Sequence, residues 1–81
     1  MSQHAAALGT ALDRLETGDW EAAHALAQDD PSALGAWVHA LLHRIEGDPG
    51  NAGYWYARAG RAPFEGSTDE EIRAIRAALG A

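Results

Sequence analysis

The chain has 81 residues, enough for one domain with a small core and a thin stability margin unless it associates. Twelve acids face six bases, all of them Arg, and the net charge of −6 argues against nucleic acid or an anionic membrane surface as a partner. Cys is absent, which excludes disulfides, thiol catalysis and thiolate metal sites.

Apolar residues make up 47% of the chain, many of them Ala, and β-branched residues are scarce. That balance favours helix over sheet. No apolar run approaches the ~20 residues of a membrane span. The start, Met1-Ser2-Gln3-His4, lacks a basic segment followed by an apolar one, so the expected location is the cytoplasm.

Five helical segments are predicted. The first runs from about His4 to Thr17, with Leu8, Leu12 and Leu15 on one face and Gly18 as its stop. Asp19 is the N-cap of the second, Trp20 to about Gln28, which Asp29-Asp30-Pro31 ends. Ser32 caps the third, which runs to Glu46 and carries Leu34, Trp37, Val38, Leu41, Leu42 and Ile45 as a wide apolar stripe. Gly47 stops it. Asp48 caps the fourth, to about Ala59, with Pro49 in its first turn. Gly60 to Gly66 is read as a loop from which Phe64 plugs the core. The fifth begins at Ser67 or Thr68, each followed three residues later by Glu, and Ile72, Ile75 and Leu79 give it an apolar face. The expected core is Trp37, Leu41, Ile45, Trp55, Leu12, Leu15, Ile72 and Ile75.

Leu15-Glu16-Thr17-Gly18-Asp19 is echoed 29 residues later by Arg44-Ile45-Glu46-Gly47-Asp48, with Ala23 and Ala52 at matching places. Two copies of helix, Gly-Asp turn and helix imply two stacked antiparallel hairpins, closed by the fifth helix. The expected architecture is therefore all-α, a single helical-hairpin domain over residues 1–81.

The run Gly47-Asp48-x-x-Asn51-Ala52-x-Tyr54-Trp55-Tyr56-x-x-Ala59 resembles the second-helix signature of the tetratricopeptide and Sel-type helical repeats. His39 to Ala59 is also similar to a family of short uncharacterised bacterial proteins, which implies no activity. The repeat families mostly bind proteins, and the resemblance implies the same here.

His39 and His43 stand at i and i+4, a spacing that can hold a metal ion. Glu46 lies on the same side, and His24 on the second helix is a possible further ligand. The Glu of the zinc-protease motif is missing. This face lies away from the apolar stripe, so it is read as solvated or hydrogen-bonded to a neighbouring helix. Asn51, Tyr54, Trp55 and Arg58 share a face of the fourth helix. Their rings, amide and guanidinium could grip a ligand, although Trp55 is expected to pack on the third helix. His24 shares a face with Trp20 and Ala27, at the core edge. Asp69-Glu70-Glu71 is read as helix-start chemistry, explained by cap and dipole.

No phosphate loop and no nucleophile elbow is present. The hydroxyls outside the caps, Ser2, Thr10 and Thr17, have no suggestive His. Arg58, Arg61, Arg73 and Arg76 are interleaved with Glu65, Asp69, Glu70 and Glu71. The expectation is a non-enzymatic interaction module without cofactor, binding a protein or a second copy of itself. The alternative is a small ligand- or metal-binding protein that uses His39, His43, Glu46, Asn51, Tyr54 and Arg58 as a seam between the third and fourth helices. Because Arg58 repels cations, that seam is expected to be bonded internally and to hold no metal.

Overall fold

A computed structural model describes residues 3–80; Met1, Ser2 and Ala81 lie outside them, as does the reading of the extreme N-terminus. Five helices follow in order: α1 Gln3–Glu16, α2 Trp20–Gln28, α3 Ala33–Glu46, α4 Pro49–Arg58 and α5 Thr68–Gly80. No strand occurs among the described residues. Helix α1 pairs with α2, and α3 with α4. The two hairpins meet through α2 and α3, and α5 lies against α1 and α3.

The helix ends follow from local chemistry. Asp19, Ser32 and Asp48 accept from the backbone N–H groups of Ala22, Gly35 and Asn51 at 3.0–3.1 Å. Ser67 and Glu70 close a reciprocal capping box at 2.9–3.0 Å. The two repeated Gly-Asp turns have one geometry. Gly18 and Gly47 adopt φ of 89° and 87°, a left-handed conformation that costs a residue with a Cβ energy. Each is followed by an Asp N–H that reaches back to a carbonyl five residues earlier, Arg14 in one turn and His43 in the other. Gly60 repeats the device at the end of α4, with Arg61 bonding the Tyr56 carbonyl.

Helix α3 is the axis of the fold. All nine residues from Gly35 to His43 are buried, so it is covered on every side rather than along one stripe. At its start Gly35 admits the Asp30 backbone; a Cβ there would meet the Asp30 carbonyl oxygen at 2.5 Å. Leu8, Leu12, Val38, Leu41, Leu42 and Ile75 fill the centre with no exposure. Trp37 and Ile72 are buried with them, and Leu15, Trp55 and Phe64 pack partly buried at the margin.

Two sequence expectations fail. Ile45 is 40% exposed, because it lies in the last turn of α3, beyond the stretch its neighbours cover. Glu71, read as helix-start chemistry, is fully buried. Its Oε2 accepts from Trp37 Nε1 at 2.9 Å and from the Tyr56 hydroxyl at 2.6 Å. Its Oε1 accepts from Arg44 Nη1 at 2.7 Å, and Arg44 also donates to the Gly66 carbonyl. One carboxylate thus joins α3, α4 and α5 from the inside. Burial, followed by the bond to Glu71, pushes the Tyr56 phenol up from its ordinary value. On the surface Arg76 ties α5 to α1 through Asp13 and Glu16.

Candidate functional site

The densest chemistry lies where the two hairpins meet. His39 and His43, one turn apart on α3, point to a side that α2 and α4 cover; they are 4% and 7% exposed. Of the two readings of this face, solvated or hydrogen-bonded to a neighbouring helix, the second describes His39, which meets His24 of α2, while Glu46 at the end of the face is exposed. On α2 the same i, i+4 spacing places Trp20 and His24 on one face. The Trp20 indole N–H donates to the Leu42 carbonyl at 2.8 Å, which fixes α2 against α3. His24 then reaches the two α3 imidazoles, and nitrogens of all three rings lie within 4.8 Å of one another.

Two indoles wall the cluster. Trp20 stacks on His24 with ring centroids 4.8 Å apart, and Trp55 of α4 stacks on His39 at 3.8 Å. His24 meets His39 edge-on, and their Nε2 atoms are 2.9 Å apart. One of those nitrogens therefore carries a proton and the other accepts it. The Nδ1 of His39 is buried without a hydrogen-bond partner. A buried lone pair is less costly to strand than a buried N–H, so His39 carries its proton on Nε2 and donates to His24. His43 donates from Nδ1 to Glu46 at 2.8 Å, which leaves its Nε2 for the cluster.

Burial, followed by the neighbouring imidazoles of His24 and His43, holds His39 down to about 4. Burial and then His43 lower His24 as well, with Glu46 pulling weakly the other way. These two rings are neutral at neutral pH and can act as acceptors or ligands.

The six residues proposed as one seam fall into two groups. His39, His43 and Glu46 belong to the cluster. Tyr54 and Arg58 are on the outer face of α4, where Arg58 Nη1 donates to the Tyr54 hydroxyl at 3.1 Å. The Asn51 N–H completes the cap of α4 on Asp48, with its side chain exposed. Trp55 joins the two groups. It stacks on His39 of α3, while Tyr54 meets its edge at 5.3 Å and the Arg58 guanidinium lies 5.2 Å from its ring centre. Beside it a concavity of about 290 Å³ is lined by Gln28, Asp29, Ser32, Ala36, Trp55 and Arg58.

Sequence reasoning placed His24 at the core edge on one face with Trp20, named it as a possible ligand and expected Trp55 to pack on the third helix, as it does; it did not bring both indoles to one cluster with the three imidazoles. The i, i+4 pair Trp20 and His24 was the available signal. Compared with protein-family models, curated proteins and solved structures, the chain matches none. No helix among the described residues is long and apolar enough to cross a membrane.

Proposed function

We propose that this chain is a non-enzymatic helical interaction module of the cytoplasm that binds another protein through the outer face of α4. The observation that carries the reading is Tyr54, which is 54% exposed while every other aromatic side chain is buried or half-buried. Arg58 holds it through the hydroxyl, and Trp55 backs both residues. Tyr, Trp and Arg are the side chains that dominate the energetics of protein interfaces, and a surface already ordered loses little entropy on binding. The resemblance of the α4 sequence to tetratricopeptide and Sel-type repeats points the same way. A different protein fits better than a second copy. Ile45 and Tyr54 are the only exposed large apolar side chains among the described residues, a small area for a stable homodimer.

The test is a photo-crosslinking side chain placed at position 54 in cells, with position 73 on α5 as an exposed control. A discrete adduct with another protein at 54, absent at 73 and lost on Arg58→Ala, is the expected result. Equal adducts at both positions, or none at 54, would remove this surface from consideration. Sedimentation of the purified chain separates self-association from a foreign partner.

A further inference from the structure

We propose that His24, His39 and His43 form a binding site for a first-row divalent metal ion of the zinc class, set between α2 and α3. The site lies between the hairpins rather than on the α4 contact surface, with which it shares Trp55 as a wall. Its first support is geometry: three ring nitrogens from two helices lie within 4.8 Å of one another, the spread that a single ion can gather with small side-chain movements. Imidazole sets of this kind suit zinc, copper, nickel and cobalt, and three protein ligands leave a fourth position for water.

Its second support is the unused bonding capacity of His39. This ring is nine-tenths buried, yet its Nδ1 has no hydrogen-bond partner and its Nε2 meets only another imidazole. The large majority of buried polar side-chain atoms have a hydrogen-bond partner, so an unpaired buried ring nitrogen calls for an explanation, and a metal ion supplies one.

The third support lies outside the ring of ligands. His43 donates from Nδ1 to the Glu46 carboxylate at 2.8 Å, the arrangement that fixes a ligating imidazole in the tautomer with its other nitrogen free. Trp20 and Trp55 stack on His24 and His39 and hold their planes. Arg58, the cation expected to oppose a metal, is engaged with Tyr54 and Trp55. A second acidic cluster, His43 with Glu46 and Asp48, carries no such site, since Glu46 holds His43 and Asp48 caps α4. An ion at the three imidazoles would pin one hairpin to the other where α2 meets α3.

The experiment is a zinc titration of the untagged, chelator-stripped chain against a chromophoric chelator, repeated with cobalt to read d–d absorption. One equivalent bound at about 10 µM or tighter is the expected result. Cobalt should give the visible bands of a low-coordinate nitrogen site. His24→Gln, at a half-buried position, should abolish stoichiometric uptake while the far-UV circular dichroism is unchanged. Glu46→Gln should weaken uptake by about 10–100-fold, the usual effect of removing the group that orients a ligand. Binding weaker than about 10 µM, or uptake that survives His24→Gln, would overturn the proposal. Should His39→Ala fail to fold, the His24 and Glu46 variants still decide it.

Discussion

The indole N–H of Trp37 donates to the carboxylate of Glu71 across 2.9 Å, joining residues 34 positions apart in the core. The Tyr56 hydroxyl binds the same oxygen, and Arg44 takes the other. A buried charge of this kind is tolerated only because its bonds are satisfied, and the same bonds lock the relative positions of α3, α4 and α5.

Glu71→Ala is expected to cost about 3–5 kcal/mol, because it leaves two core donors and one guanidinium without their acceptor. Arg44 is partly exposed and can turn to water, so Trp37 and Tyr56 bear most of the loss. Tyr56→Phe should cost about 1.5–3 kcal/mol, the range for a hydrogen bond to a charged group. The double variant should lose less than the sum, because both changes remove one shared bond. Urea midpoints read all three. A Glu71→Ala chain as stable as the parent would show that the carboxylate is not buried in solution.

Leu41 and Ile45 give the second prediction. They sit one turn apart on α3 and belong to one apolar stripe, but Leu41 is fully buried and Ile45 is largely exposed. Leu41→Ala should cost about 2–5 kcal/mol, against under about 1 kcal/mol for Ile45→Ala. Equal losses in thermal or urea unfolding would contradict the burial of this helix.

The same pair shows where sequence reading ends. Helix limits were legible because Asp19, Ser32, Asp48 and Ser67 carry their own capping bonds, and Gly18 and Gly47 their own turns. Which end of a stripe is covered depends on where the neighbouring helices stop, and Ile45 has no local mark of that. Glu71 was missed for a related reason. Its place in the first turn of α5 has a sufficient local explanation, while its three partners come from 15 to 34 residues away. Two hints were present. Glu71 shares a face with Ile75 at i+4, and the polar tips of a buried Trp and Tyr need an acceptor. The His cluster was half legible: the spacing of His39 and His43 is local, and the approach of His24 is tertiary.

In chelator, stability is predicted to fall between pH 7 and pH 5.5. His39 titrates near 4 in the folded chain and near 6.5 when unfolded, so the unfolded state binds more protons across that interval. The contribution is complete above about 6.5 and is lost as pH falls towards 4, at no more than about 1.4 kcal/mol per pH unit for the group. The groups that face His39 are His24 from α2, His43 with Glu46 from α3, and Trp55 with Arg58 behind it from α4. His24 is lowered too and acts in the same direction. Urea midpoints across the interval should slope in the parent and flatten in His39→Gln. A flat parent profile would mean that the imidazole is reached by water.

The final prediction concerns Glu46 and Arg58, which a polar seam between α3 and α4 would bring together. Each has another partner in the structure. Glu46 accepts from His43, and Arg58 donates to Tyr54, with Trp55 between the two groups. A double-mutant cycle on Glu46→Ala and Arg58→Ala should therefore be additive within about 0.3–0.5 kcal/mol. The cycle on His43 and Glu46 should show coupling above about 0.5 kcal/mol, since one partner is buried. That on Tyr54 and Arg58 should give about 0.2–1 kcal/mol, because both are exposed and water competes for the bond. Coupling between Glu46 and Arg58 as large as that between His43 and Glu46 would mean that the acid leaves His43 in solution and closes across the hairpin, which would reopen the six-residue seam as a single ligand site.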